Sequence, residues 1–441
     1  MGRLASTLAM VLVLAGLAGY IYFVDNKRPT DEAEVKEKAF GEVVSDDIEE
    51  VRIVLAEGEA ARLTKSDGAW KLVEPTAADA DSAEIGSITS GLASVDIQRV
   101  VDEKAGDLAQ YGLAPPRIDV SFRIKGQSAD KRILLGDKTT TGGDLYAKLP
   151  DSPRVFLVSS YLESTFKKDP FSLRDKTILK VDRSKVDGFT ASVGDTVLEF
   201  TKKGSDWTIV KPIAARADFG AVEGAIERLA TANMQGITVD EASDLKAYGL
   251  DKPGTTMTVR SGSSTATLTL GRTENAVVFA KDASRPMVFT VAPTLREDVV
   301  KDVGEFRRKD VFDFRSFTAS RVEFTRGANV VAFERTKSKD KDGKDVDGWK
   351  DAKGAAADAM KVEDLLTKMS GLRASSFEAT APAALKTPVV SIAAQFDGRG
   401  ETVTIGRAGA DAFAARQDEP GAAKLDTAAL DEALKALDAL K

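Results

Sequence analysis

The chain has 441 residues, 43% hydrophobic and 30% charged, a balance that suits two to four folded domains rather than a disordered polymer. Its net charge is −7 with acidic and basic residues interleaved, so there is no cationic stripe for phosphates and no nucleic acid is expected as a partner. Histidine and cysteine are both absent, which excludes disulfides, thiolate chemistry, Ser-His-Asp and Cys-His catalysis; no catalytic, cofactor-binding or metal-binding residue is assigned.

The first predicted element is a membrane anchor, residues 1–24. After Arg3, the run from Leu4 to Val24 holds 21 residues without a charge, close to the roughly 20 that cross a hydrocarbon core about 30 Å thick. Tyr20 and Tyr22 suit the interface at its far end. A cleavable signal peptide has an apolar region of only about 7–15 residues, so a single uncleaved span through residues 4–24 is expected. The amino terminus then lies in the cytoplasm and the bulk of the chain on the other side. Residues 25–47 are polar and charged, with Pro29 near the start, and read as a linker.

Residues 48–181 are the first of three tandem repeat domains, followed by 182–315 and 316–441. "VRIVLA" and "ARLTKS" alternate with period two and predict strands; "SDG" is a turn, and "AWKLVE", with Trp70, is the return strand of a hairpin. Asp81 caps a predicted helix whose apolar residues Ile85, Ile88, Leu92 and Val95 recur at helical spacing. "DLAQYGL" predicts a short helix that ends at Tyr111, with Gly112 in a left-handed turn. "RIDVSFRI", "DKRILLG", "DLYAKL" and "RVFLV" are strands, and a helix follows around Leu162 and Phe166.

The second domain repeats this plan. Trp207 follows Trp70 by 137 residues, and "DLKAYGL", with Tyr248 and Gly249, follows "DLAQYGL" by the same 137. Two motifs at one offset indicate duplication. Asp218, Val222, Ile226 and Leu229 repeat the helix, and "FRRKDVFDFR" at residues 306–315 echoes "FKKDPFSLRD" at 166–175. The third domain is degenerate: Trp349 lies 142 residues after Trp207, and the Tyr-Gly pair is gone. It keeps a helix at Val362, Leu365, Leu366, Met369 and Leu372, a final helix at Leu430, Leu434, Leu437 and Leu440, and "VTIGR" as counterpart of "ILLGD" and "LTLGR". The expected fold class is α+β: three tandem repeats of antiparallel strands with inserted helices, behind one transmembrane helix.

The anchor, the tandem Trp-x-[Leu/Ile]-Val-x-Pro motifs, the Tyr-Gly-Leu-x-x-Pro signatures at Tyr111–Pro116 and Tyr248–Pro253, and the strands ending in Leu-Gly resemble the bacterial domain-of-unknown-function family 4340. The resemblance is clearest over residues 48–315. It implies an inner-membrane protein with its bulk in the periplasm, encoded beside ABC-type transport components of the gliding-motility kind. The implied role is an auxiliary or scaffold subunit with membrane-complex partners, and no catalytic residue carries over.

The candidate residues are the landmarks themselves. Trp70, Trp207 and Trp349 either lock a hairpin strand to the following helix or serve as aromatic interaction anchors. Tyr111, Gly112, Tyr248 and Gly249 either shape a turn or touch a ligand. "KSKDKDGKDVDG", Lys337 to Gly348, is acidic but lacks the first Asp and the terminal Glu of a calcium loop, so it reads as an enlarged hairpin loop. A non-enzymatic binding protein is therefore the leading expectation. The alternatives are an extracytoplasmic glycan- or peptide-binding module, which needs an exposed Trp or Tyr, and a carboxylate-dependent hydrolase, which needs two acids facing each other in a cleft.

Overall fold

The computed structural model describes residues 36–339 and 345–440. The predicted anchor at residues 4–24, the start of the linker, and Asp340 and Asp342 lie outside the described residues. Among the described residues, no helix is long and apolar enough to cross a membrane. The described residues divide into two compact units, with the boundary between Asp175 and Lys176.

The first unit is built on nine strands: β1 (Ile48–Leu55), β2 (Ala61–Ser66), β3 (Ala69–Glu74), β4 (Ala78–Asp79), β5 (Arg99–Asp102), β6 (Ile118–Ile124), β7 (Lys131–Lys138), β8 (Asp144–Lys148) and β9 (Val155–Ser159). They form one antiparallel sheet in the order β4-β3-β2-β1-β6-β7-β8-β9-β5. The helix α1 (Ser82–Ala93) joins β4 to β5, which lie at opposite edges, so the connection crosses the sheet. Asp81 starts it: the backbone there is extended, and its carboxylate accepts the N–H groups of Ala83 and Glu84 at 3.0 and 3.1 Å. Ile85, Ile88 and Leu92 then bury completely in one core with Val51, Leu63, Val120 and Ile133. Each such side chain contributes roughly 1.5–3 kcal/mol of burial. In β6, Ile118, Val120, Phe122 and Ile124 are buried while Asp119, Ser121 and Arg123 are only partly covered. That alternation marks an antiparallel sheet covered on one face and polar on the other.

The second unit holds two more nine-stranded antiparallel sheets, within residues 188–291 and 319–425, and both repeat the strand order of the first. Their crossing helices, α2 (Phe219–Thr231) and α3 (Ala359–Ser370), start at Asp218 and Asp358. A fourth long helix, α4 (Thr427–Asp438), follows the third sheet and shares its core with α3. The degenerate third copy thus keeps the nine-strand order and the crossing helix. The mixed class expected from sequence is weighted toward β, because each crossing helix of 12 or 13 residues serves nine strands.

Two further segments recur. In the first unit a closing segment covers the β4 edge: Ala80 bridges Arg174, Asp81 N–H donates to Leu173 O at 2.9 Å, and Asp175 N–H donates to Asp79 O at 2.8 Å. The second sheet repeats this with Ala217 and Arg307, Asp218 N–H to Phe306 O at 2.7 Å, and Arg308 N–H to Arg216 O at 3.0 Å. A lead-in segment also pairs behind each crossing helix, through the bridges Lys38–Asp96, Thr177–Asn233 and Asp310–Arg373. The first lead-in revises the expected linker of residues 25–47. From residue 36 onward this stretch is folded onto the first sheet, because Phe40 meets the Phe122 ring at 4.9 Å and Val43 joins the core.

Candidate functional site

The tryptophans sit on hairpin strands beside the crossing helices, in three related corners. Trp207 and Trp349 are 2% and 3% exposed. The indole N–H of Trp207 donates to Glu223 Oε1 at 2.9 Å, and that of Trp349 donates to Glu363 Oε1 at 2.9 Å. Each glutamate stands five residues after its helix-capping aspartate. A cation from the paired strand closes each corner. Lys202 Nζ lies 2.6 Å from Glu223 and 5.4 Å from the Trp207 ring centre; Arg335 lies 3.1 Å from Glu363 and 4.5 Å from the Trp349 ring centre. Burial would raise the Glu223 carboxyl, but hydrogen bonds from Lys202 and Trp207 outweigh it and hold it below the usual range.

Trp70 has no such acid. Its helix carries Gly86 at the position of Glu223 and Glu363, and the lysine facing it, Lys65, donates to the Asp46 carbonyl at 3.0 Å instead. Trp70 is accordingly half-buried, although Leu72 on the same strand is in the core.

The Tyr-Gly motifs form single turns of tight helix. Asp107 accepts the Ala109 N–H at 2.9 Å, Asp244 accepts the Lys246 N–H at 2.9 Å, and Gly112 and Gly249 end the turns at φ of 65° and 68°. Tyr111 leans on Tyr146 at 5.1 Å between ring centres, and Tyr248 on Phe279 at 5.2 Å. The turn rests directly on the glycine of the Leu-Gly strand: a Cβ on Gly136 or Gly271 would collide with the carbonyl oxygen of Tyr111 or Tyr248. In the third copy a turn at Ala383–Lys386 takes this place, and a Cβ on Gly406 would strike the Ala384 carbonyl. The Trp strand and the Leu-Gly strand are separated in each sheet by three others, so the two sets of landmarks do not converge on one site.

What sequence reasoning missed is a cluster of buried charges between the second and third sheets. Arg216, on the edge strand of the second sheet, places its guanidinium 2.6 Å from Asp313 and also bonds Glu419. Arg307 reaches Glu419 at 3.0 Å and lies over the Phe377 ring at 4.1 Å. Arg416 pairs with Glu401 and Asp418 and donates to Val311 O at 3.0 Å. Glu401 in turn accepts the backbone N–H groups of Asp313 and Phe314 at 3.0 and 2.8 Å. Burial would raise the Asp313 carboxyl, but Arg216, Arg416 and Arg308 overcome this and hold it low. Asp418 is likewise held low by Arg416 against the effect of burial.

A cleft of about 710 Å³ opens above this cluster, lined by Trp207, Phe219, Arg216, Arg308, Asp313 and Arg399 among others. Four of its five carboxylates are engaged: Asp218 caps α2, Asp310 and Asp313 hold arginines, and Asp418 holds Arg416, while the fifth, Asp206, is exposed at its rim. The downward shifts of Asp313 and Asp418 run opposite to what a general acid requires. Among the described residues, no group of three or more acidic side chains is arranged to hold a metal.

The profile of the family described as Domain of unknown function (DUF4340) matches residues 70–209 and 207–388, two tandem copies. No curated protein matches the chain. Among solved structures, a DNA polymerase III subunit beta from Pseudomonas aeruginosa is matched at 9% identity over 86% of this chain and 92% of that one, with a TM-score of 0.15. A DNA polymerase sliding clamp from the same organism is matched at 9% identity over 89% and 93%, with a TM-score of 0.12. Likenesses at these scores carry no argument about this chain.

Proposed function

The chain belongs to the family described as Domain of unknown function (DUF4340), and on that premise we propose that it is a non-enzymatic, membrane-anchored envelope protein. It serves as an auxiliary or scaffold subunit of an ABC-type transport or gliding-motility-like complex, with its bulk in the periplasm. The observation that carries this reading is that the distinctive groups of the repeats are spent on structure. The buried tryptophans are bonded to glutamates, the Tyr-Gly turns rest on strand glycines, and the charge cluster joins two sheets. These groups hold the repeats together and leave their polar sheet faces for contact. Trp207 and Trp349 are buried and hydrogen-bonded, so neither is free to stack on a sugar.

The reading predicts that affinity capture of the full chain from detergent-solubilised membranes, after mild crosslinking, recovers membrane transport proteins in fixed proportion. Recovery of the chain alone would overturn it.

A further inference from the structure

We infer that a small cavity in the second unit, where the closing segment at Arg307 meets the turn from Glu419 to Gly421 of the third sheet, is a binding site for one monovalent anion of halide size. The inference goes beyond the scaffold role proposed above and does not depend on it.

The first observation is a donor without an acceptor. Arg307 is 5% exposed, and its Nε–H is buried with no partner among the described residues. The guanidinium is not free to turn toward one. It lies over the Phe377 ring at 4.1 Å, and its Nη2 donates to Glu419 Oε2 at 3.0 Å and to Pro420 O at 3.3 Å. A buried donor left unpaired is costly, more so on a charged group. Arg307 is also one wall of a cavity of about 20 Å³. That is more than the roughly 10–15 Å³ that one water needs, and too little for a tetrahedral oxyanion.

The walls set the sign of the occupant. Of the seven charged residues around the cavity, five are cations and only Asp310 and Glu419 are acids. Both acids are engaged already, Asp310 by Arg308, Arg315 and Arg373, and Glu419 by Arg216 and Arg307. The carbonyls of Asp310 and Val311 accept from Arg216 and Arg416. A water taking the Nε–H would need acceptors for its own two hydrogens, whereas an anion only accepts. The charge count sets the valence. The ion pairs made by Arg216, Arg307, Arg308, Arg315, Arg373 and Arg416 form one connected network that reaches only five carboxylates. One positive charge is left over, on the network that carries the unpaired donor. A single monovalent anion against Arg307 Nε satisfies the donor and balances the charge, and it ties the closing segment of the second sheet to the turn of the third.

The test uses the detergent-solubilised full-length protein in sodium gluconate, with chloride titrated in at constant ionic strength. Line broadening in the chloride NMR signal reads binding directly, and the melting temperature reads its linkage to folding. The expected result is saturable broadening that bromide displaces and sulfate does not, with a melting temperature that rises along the same curve. Arg307→Lys keeps the charge, removes the Nε–H and should weaken binding at least tenfold. Lys309→Gln takes an exposed charge from the wall and leaves the buried pairs in place, so it should fold even where the first variant does not. It should weaken binding about threefold. No saturable broadening, equal displacement by sulfate, or unchanged binding in a variant that folds overturns the inference.

Discussion

At the level of single residues, three tryptophans with similar neighbours have two different fates. Trp207 and Trp349 are buried because a glutamate one and a half turns into the next helix accepts the indole N–H; Trp70 lacks that partner and stays half-exposed. Removing the acceptor by Glu223→Ala leaves a buried donor unpaired and should destabilise the second unit by about 1–3 kcal/mol, read from urea unfolding. The converse change is more informative. Gly86 has open space around it, so Gly86→Glu both removes a helix glycine and supplies the missing acceptor. It should stabilise the first unit by about 1 kcal/mol. An unchanged or lower melting temperature would mean that the Trp70 corner is not built like the other two. Gly136 has no such freedom, because its missing side chain is what admits the Tyr111 carbonyl. Gly136→Ala should cost about 1–3 kcal/mol through backbone displacement, and a neutral result in the same assay would refute the close approach.

Among the elements, the crossing helix is the one whose position the sequence specifies most directly. Asp81, Asp218 and Asp358 each cap it from an extended backbone, and Asp426 does the same for α4. Asp218→Ala should cost about 1 kcal/mol while Asp218→Asn costs much less, since the amide oxygen can still accept the Ala221 N–H. Equal losses in circular-dichroism melts would point to the charge rather than the cap. The edge strands are harder to read. The strand Ala78–Asp79 has two residues and Arg99–Asp102 has four, too few for a period-two pattern to stand out. They exist because other segments supply hydrogen bonds: the closing segment and the strand Ala69–Glu74 for the first, and the distant strand Val155–Ser159 for the second.

Across the second unit as a whole, the junction of its two sheets depends on charges that would be costly if left alone. Arg416 and Glu401 are almost fully buried, and Glu401 also holds the lead-in backbone at Asp313 and Phe314. Glu401→Ala would leave the backbone N–H groups of Asp313 and Phe314 without their acceptor and take one of several partners from Arg416, and should destabilise the unit by about 1–3 kcal/mol, whereas a surface acid such as Glu297 should be nearly neutral when replaced. The junction should also be acid-sensitive. Asp313 and Asp418 titrate below the ordinary carboxylate range, so the unfolded chain takes up protons that the folded one does not as pH falls. Their contribution is complete above about pH 4 and is lost as pH drops through the lower folded values. The melting-temperature difference between wild type and Asp313→Asn should therefore shrink below about pH 4; a difference that stays constant down to pH 2.5 would refute the linkage.

The sequence by itself determined the repeat of the first two copies and its local devices, and indicated a degenerate third. A hairpin, a helix cap and a left-handed glycine are each specified within a few neighbouring residues, so Trp70 to Trp207 and Asp107 to Asp244 could be aligned without coordinates. It also marked the Leu-Gly strands, although not why the glycine is needed, since the Tyr-Gly turn that rests on Gly136 is brought there by the fold. Only the tertiary structure decided which tryptophan finds an acid, that the third copy keeps the whole topology, that residues 36–47 fold onto the first sheet, and where the charges meet. Arg216 and Glu419 are 203 residues apart in sequence. Nothing in their local context distinguishes them from solvated surface charges. Their pairing comes from the edge of the second sheet meeting the turn between the strands Asp411–Arg416 and Ala422–Leu425 of the third, a property of the packed unit and not of any stretch of chain.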